Sequence, residues 1–73
     1  MRDDTSEDLL RRCNAEITKA DFPTVWTSVL RGHRLVVGAP VQHADGERLQ
    51  LHIRLVTGQQ IVYDSSSKQF AIA

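Results

Sequence analysis

Residues 35–55, LVVGAPVQHADGERLQLHIRL, decide the predicted fold because apolar residues recur there at every second position. Two sets share this period: Leu35, Val37, Ala39, Val41 and Leu49, Leu51, Ile53, Leu55. Such alternation is typical of half-buried strands. A three-residue turn over residues 44–46, with Gly46 at its left-handed last position, would pair Val41 with Leu49 and Leu35 with Leu55. A two-residue turn over residues 45–46 would put the two sets on opposite faces, so we predict the three-residue turn.

The pairing of the later strands can be derived from turn lengths in the same way. A three-residue turn over residues 57–59 would pair Leu55 with Ile61 and Ile53 with Tyr63. A four-residue turn over residues 65–68 would pair Tyr63 with Phe70 and Ile61 with Ile72. We therefore predict four strands, at about residues 34–43, 47–56, 60–64 and 69–72. Pro40 lies inside the first strand, which is acceptable only at a sheet edge or a bulge.

Two helices are predicted before the sheet, over about residues 5–20 and 21–32. The second has the clearer pattern: Phe22, Val25, Trp26, Val29 and Leu30 form one apolar stripe. Asp21 suits its N-cap, Pro23 its first turn and Gly32 its left-handed terminator. The predicted fold class is α+β, with two N-terminal helices packed on one face of an antiparallel β-meander (ααββββ). We expect a single small domain over residues 5–73, after a disordered tail of residues 1–4.

Composition excludes several classes of protein. The 73 residues include nine basic and nine acidic side chains, and 41% are apolar. This length is too short for a large-fold enzyme, and no run approaches the roughly 20 apolar residues of a membrane-spanning helix. One cysteine cannot form an internal disulfide, and the polar start does not resemble a secretory signal. We therefore expect a protein of the bacterial cytoplasm.

The formal charge of zero divides unevenly along the chain. Residues 1–30 carry four basic and six acidic side chains, whereas residues 31–73 carry five and three. The predicted solvent face of the sheet holds most of the later arginines. It provides a candidate binding face of six residues: Arg34, Arg48, Gln50, His52, Arg54 and Gln60. These side chains could contact nucleic-acid phosphates, but they are also what the solvent side of an antiparallel sheet ordinarily carries, and this second interpretation is preferred because no aromatic is predicted there to stack on a base.

No catalytic, cofactor or metal site is expected. The predicted register places His52 opposite Asp64, with three serines next to Asp64, but an open sheet face lacks a pocket and oxyanion donors. The three histidines lie outside metal-site spacings. Cys13 has no identifiable partner and is interpreted as a small core residue.

The sequence therefore predicts a non-enzymatic binding or adaptor module that acts through protein contacts at a sheet edge or the exposed sheet face. Its partner would be another protein or a second copy, giving a homodimer, because unprotected edge strands invite another strand. The alternative is nucleic-acid binding through Arg34, Arg48, His52 and Arg54; no membrane partner is expected. Trp26 is a candidate for either a core anchor or an interface contact.

Overall fold

A computed structural model describes residues 6–73. The predicted tail over residues 1–4 lies outside the described residues. Helix α1 spans Ser6–Ile17, and α2 spans Phe22–Val25 and continues as a π-helical turn over Trp26–Leu30. Four strands follow: β1 Val36–Asp45, β2 Arg48–Leu55, β3 Gln60–Asp64 and β4 Gln69–Ile72. They form one antiparallel sheet in the order β1-β2-β3-β4, which confirms the predicted α+β class and strand order.

The core lies between the helices and one face of the sheet. Its buried members are Leu9, Cys13, Val25, Val29, Leu30, Leu35, Ile53, Leu55, Ile61, Tyr63 and Phe70. Phe22 joins Tyr63 and Phe70 in an aromatic cluster with ring centroids 4.9 to 5.9 Å apart. No helix within residues 6–73 is long and apolar enough to cross a membrane.

The second helix begins as predicted but differs in its second half. The Asp21 side chain accepts hydrogen bonds from the Thr24 backbone N–H at 3.2 Å and from its hydroxyl at 2.7 Å, so Asp21 is the N-cap. The following turn is π-helical, and the Arg31 N–H donates to the Trp26 carbonyl. The helix ends one residue before the predicted terminator, because Arg31 is already extended, with a φ of −64° and a ψ of 126°. Gly32 has the predicted left-handed conformation, with a φ of 80°, but in the turn that follows, where the His33 N–H donates to the Leu30 carbonyl.

The predicted register of the first hairpin is wrong. Asp45 lies opposite Arg48, so the turn contains only Gly46 and Glu47. Gly46 has a φ of 66°, and glycine at the first position is typical of a two-residue hairpin turn. The register shifts again between Val37 and Val41, where residues 38–40 form the irregularity that Pro40 suggested. The two-residue turn places Val37 and Val41 on the solvent face, 45% and 50% exposed.

The second hairpin keeps its predicted faces but not its predicted pairs. Leu55 N–H donates to the Gln59 carbonyl, so the three-residue turn covers residues 56–58. Ile53 consequently pairs with Ile61, and Leu51 with Tyr63. Gly58, with a φ of 95°, occupies the last turn position, which requires a left-handed residue. The third hairpin has the predicted register, with Tyr63 opposite Phe70 and Ile61 opposite Ile72.

Asn14 of α1 protects part of the β4 edge. Its side-chain amide donates to the Phe70 carbonyl at 3.1 Å and accepts from the Phe70 N–H at 2.8 Å. These are the two backbone groups that a neighbouring strand would otherwise bind. One side chain therefore joins α1 to the sheet and occupies an edge position.

We predict that Asn14→Ala lowers the free energy of unfolding by about 1–3 kcal/mol, because two partly buried groups of Phe70 lose their partner. Urea denaturation followed by tryptophan fluorescence measures the change. Thr18→Ala is the matched control, since its exposed hydroxyl only donates to the nearby Ala15 carbonyl. The control should change stability by less than about 0.5 kcal/mol, and an equally small effect of Asn14→Ala would contradict this role.

Candidate functional site

The sheet face opposite the helices is here called the open face. The observed registers place on it Val37, Val41, His43, Asp45, Arg48, Gln50, His52, Arg54, Gln60, Val62, Asp64, Gln69 and Ala71. Five of the six residues of the predicted binding face are therefore brought together. Arg34 is not among them, because β1 begins at Val36 and Arg34 lies in the preceding turn.

Arg48 is held by Asp64 across the sheet. Its Nε and Nη2 atoms donate to Asp64 Oδ2 at 2.9 and 2.7 Å. The other carboxylate oxygen accepts from the backbone N–H and the hydroxyl of Ser66 at 2.9 and 2.8 Å. The hydrogen bonds from Arg48 and then those from Ser66 lower the pKa of the Asp64 carboxyl. One of the guanidinium groups of the predicted basic face is therefore paired within the protein.

The predicted His52 and Asp64 pair is wrong. Gln50 lies opposite Asp64, whereas His52 lies opposite Val62, because the second hairpin is shifted by two residues. His52 Nδ1 lies 3.1 Å from Gln60 Oε1. The observed register therefore does not bring a histidine base and an orienting carboxylate together beside the serines.

His52 has a second neighbour that the sequence did not indicate. The centroids of the His43 and His52 rings are 4.3 Å apart, with an angle of 54° between their planes. The predicted register placed His43 opposite Glu47, so this pair could be found only with the correct two-residue turn. Within residues 6–73, no group of three or more histidine, cysteine or acidic side chains is arranged to hold a metal ion.

The outer edge of β1 differs from the edge of β4. On β2, the Leu49 carbonyl accepts from the Ser65 N–H at 2.9 Å, and the Leu49 N–H donates to Ser65 Oγ. Leu49 thus directs its backbone groups toward β3 and not toward Ala44, its neighbour on β1. Since bonded and non-bonded pairs alternate in antiparallel strands, Ala44 and Gln42 direct their N–H and C=O groups outward.

Cys13 and Trp26 occupy different depths of the core. Cys13 is fully buried, and burial raises the pKa of its thiol to about 12, which suppresses the reactive thiolate. Its interpretation as a core residue is confirmed. Trp26 is only partly buried and packs against the core from the π-helical turn. The fully buried side chains are smaller, and the largest include Leu9, Leu30, Ile53 and Ile61.

A cleft lies between the end of α1 and the β3–β4 turn. It has a volume of about 830 Å³, and its lining includes Lys19, Asp21, Tyr63 and Lys68. Burial, and secondarily the charges of Asp21 and Asp64, raise the pKa of the Tyr63 hydroxyl, which favours its neutral form. The cleft thus combines two basic side chains, an acidic one and a neutral phenol.

Comparison with known proteins does not assign the chain to a family. No family model matches it, and neither a curated protein nor a solved structure gives a match. The candidate sites therefore depend on the geometry of this chain alone.

We predict that Arg48→Gln raises the pKa of the Asp64 carboxyl toward the ordinary value of about 4. Because the folded-state pKa is lowered, the stability contributed by Asp64 is present above about pH 4 and is lost as the pH falls through the folded-state value. The variant should weaken this acid dependence. Carboxyl ¹³C NMR titration measures the pKa, with Arg54→Gln on the same strand as control. An unchanged Asp64 titration in Arg48→Gln would contradict the assignment.

Proposed function

We propose that the protein is a non-enzymatic binding module that pairs with a second copy of itself through the outer edge of β1. The outward direction of the Gln42 and Ala44 backbone groups carries this proposal. An added strand would satisfy those groups, as in strand addition generally. The bacterial cytoplasm is the proposed location, on the grounds of its composition.

The two sheet edges are not equivalent, which supports the choice of β1. The β4 edge spans four residues, and Asn14 already holds the outward groups of Phe70. By contrast, all residues in the stretch 41–45 of β1 are exposed, and the stretch contains neither lysine nor proline. Lysine, proline and a short strand length are among the features that usually prevent an edge strand from pairing with another strand.

We propose a second copy of the protein as the partner because its own residues 41–45 supply the extended strand that the β1 edge requires. Twofold symmetry allows one edge to pair with itself in an antiparallel direction. The donated strand is already part of a folded hairpin, so pairing avoids most of the entropic cost of ordering a flexible peptide. The exposed Val41 side chain would lie beside the new strand and add apolar contact.

We predict that the wild-type mass rises from one chain toward two with increasing concentration in light scattering. Ala44→Lys should shift the dissociation constant upward by about tenfold or more, because edge lysines oppose strand pairing. Ala71→Lys is the matched control, since Ala71 is also an exposed alanine on an edge strand, but on β4. A wild-type mass of one chain at all concentrations, or equal effects of the two variants, would overturn the proposal.

Nucleic-acid binding is the less favoured function. Arg48 is paired with Asp64, and Arg34 lies outside the sheet, so fewer cations are directed from the open face toward phosphates. The described aromatic side chains are Phe22, Trp26, Tyr63 and Phe70, and none belongs to the open face. Retention on DNA or RNA at about 50 mM salt, lost in Arg48→Ala and Arg54→Ala, would favour this alternative over strand pairing.

A further inference from the structure

We propose that His43 and His52 form a two-imidazole binding site for a divalent transition-metal ion, Zn²⁺, Ni²⁺ or Cu²⁺, on the open face. Gln60 is the positioning residue that orients His52. The site uses residues of one chain only, so it does not require the proposed pairing at the β1 edge.

The strand register brings the two rings together. Val41 lies opposite His52, and His43 lies opposite Gln50, so the histidines are diagonal neighbours on adjacent strands. Both belong to the open face, and their ring centroids lie 4.3 Å apart. Two imidazoles at this separation can direct nitrogen atoms to one ion after small side-chain rotations, since Zn–N bonds are about 2.0–2.1 Å long.

The Gln60 contact selects the form of His52 that binds metal. Gln60 Oε1 is an acceptor, so its 3.1 Å contact with His52 Nδ1 is a hydrogen bond in the tautomer that carries the proton on Nδ1. The lone pair then lies on Nε2, the nitrogen available to an ion. Metal-binding histidines usually donate their other ring N–H to an oxygen in this way, which fixes both tautomer and ring orientation.

The surrounding chemistry selects the class of ion. Imidazole suits Zn²⁺, Ni²⁺ and Cu²⁺, whereas Mg²⁺ and Ca²⁺ require sets of oxygen ligands. Within residues 6–73 the site has two protein nitrogen ligands and no acidic side chain to complete such a set. Water would occupy the remaining positions. Cys13 does not compete, because it is buried in the core.

The test is a titration of the ¹⁵N-labelled protein with ZnCl₂ and, separately, NiCl₂. Zn²⁺ should shift the resonances of His43, His52 and Gln60, and Ni²⁺ should broaden them selectively. His43→Ala and His52→Ala should each weaken binding by at least about tenfold, and Gln60→Ala by about tenfold, the lower end of the usual effect of such supporting residues.

His33→Ala is the matched control because it removes the third histidine. His33 lies in the turn before β1, where its Nδ1 accepts from the Leu35 N–H at 3.1 Å. This control should retain wild-type affinity within about twofold. The exposed position of His43 means that His43→Ala should preserve the fold, which an unchanged amide spectrum away from the site verifies. Wild-type affinity in the His43→Ala, His52→Ala double variant, or an equal loss in His33→Ala, would overturn the proposal.

Discussion

The two-residue turn at Gly46 and Glu47 is the constraint on which the candidate surfaces depend. Because successive side chains in a strand point to opposite faces, a turn longer by one residue would exchange the faces of the paired β1 residues relative to β2. The observed turn places Val41 and His43 on the open face and directs the backbone of Ala44 outward. Gly46 permits it by taking a φ of 66°, which a residue with a Cβ adopts at a cost. The histidine pair and the available sheet edge are therefore consequences of one turn.

The irregularity over residues 38–40 limits the length of β1 over which the turn sets a regular pairing with β2. Val37 and Val41 are four positions apart along β1, while their partners Arg54 and His52 are two positions apart. The two additional residues preserve the face of each side chain but interrupt the ladder, and Pro40 has no N–H to contribute to it. The regular part of the outer edge is consequently the stretch 41–45. A strand added there would be short, which favours a reversible interaction over a permanent one.

Burial explains which parts of the fold could be predicted from the sequence. The third hairpin was predicted pair by pair because Ile61, Tyr63 and Phe70 are all buried, so a slipped register would expose them. In β1 the apolar period was misleading, since the residues from Val41 to Asp45 are exposed and no core contact selects their register. In β1 the length of the turn therefore decides the register, and the sequence preference for one turn length is a weaker signal than the burial of apolar residues. The second hairpin was predictable in principle, because Gly58 fits the last position of a turn over residues 56–58.

The candidate sites were predicted less completely than the fold because they depend on pairs of side chains. The sequence predicted that Arg48, Gln50, His52, Arg54 and Gln60 share one face, because alternate residues of a strand point to the same side of the sheet. It could not show that Asp64 binds Arg48, since a two-residue shift of β3 decides whether the carboxylate meets arginine or histidine. That shift changes the chemistry of the face, because Asp64 neutralises Arg48, and His52 contacts Gln60 and His43 instead of a carboxylate. The open face is thus better suited to lone-pair donation from imidazole than to a broad attraction for phosphate, and its strongest charge interaction is internal to the sheet.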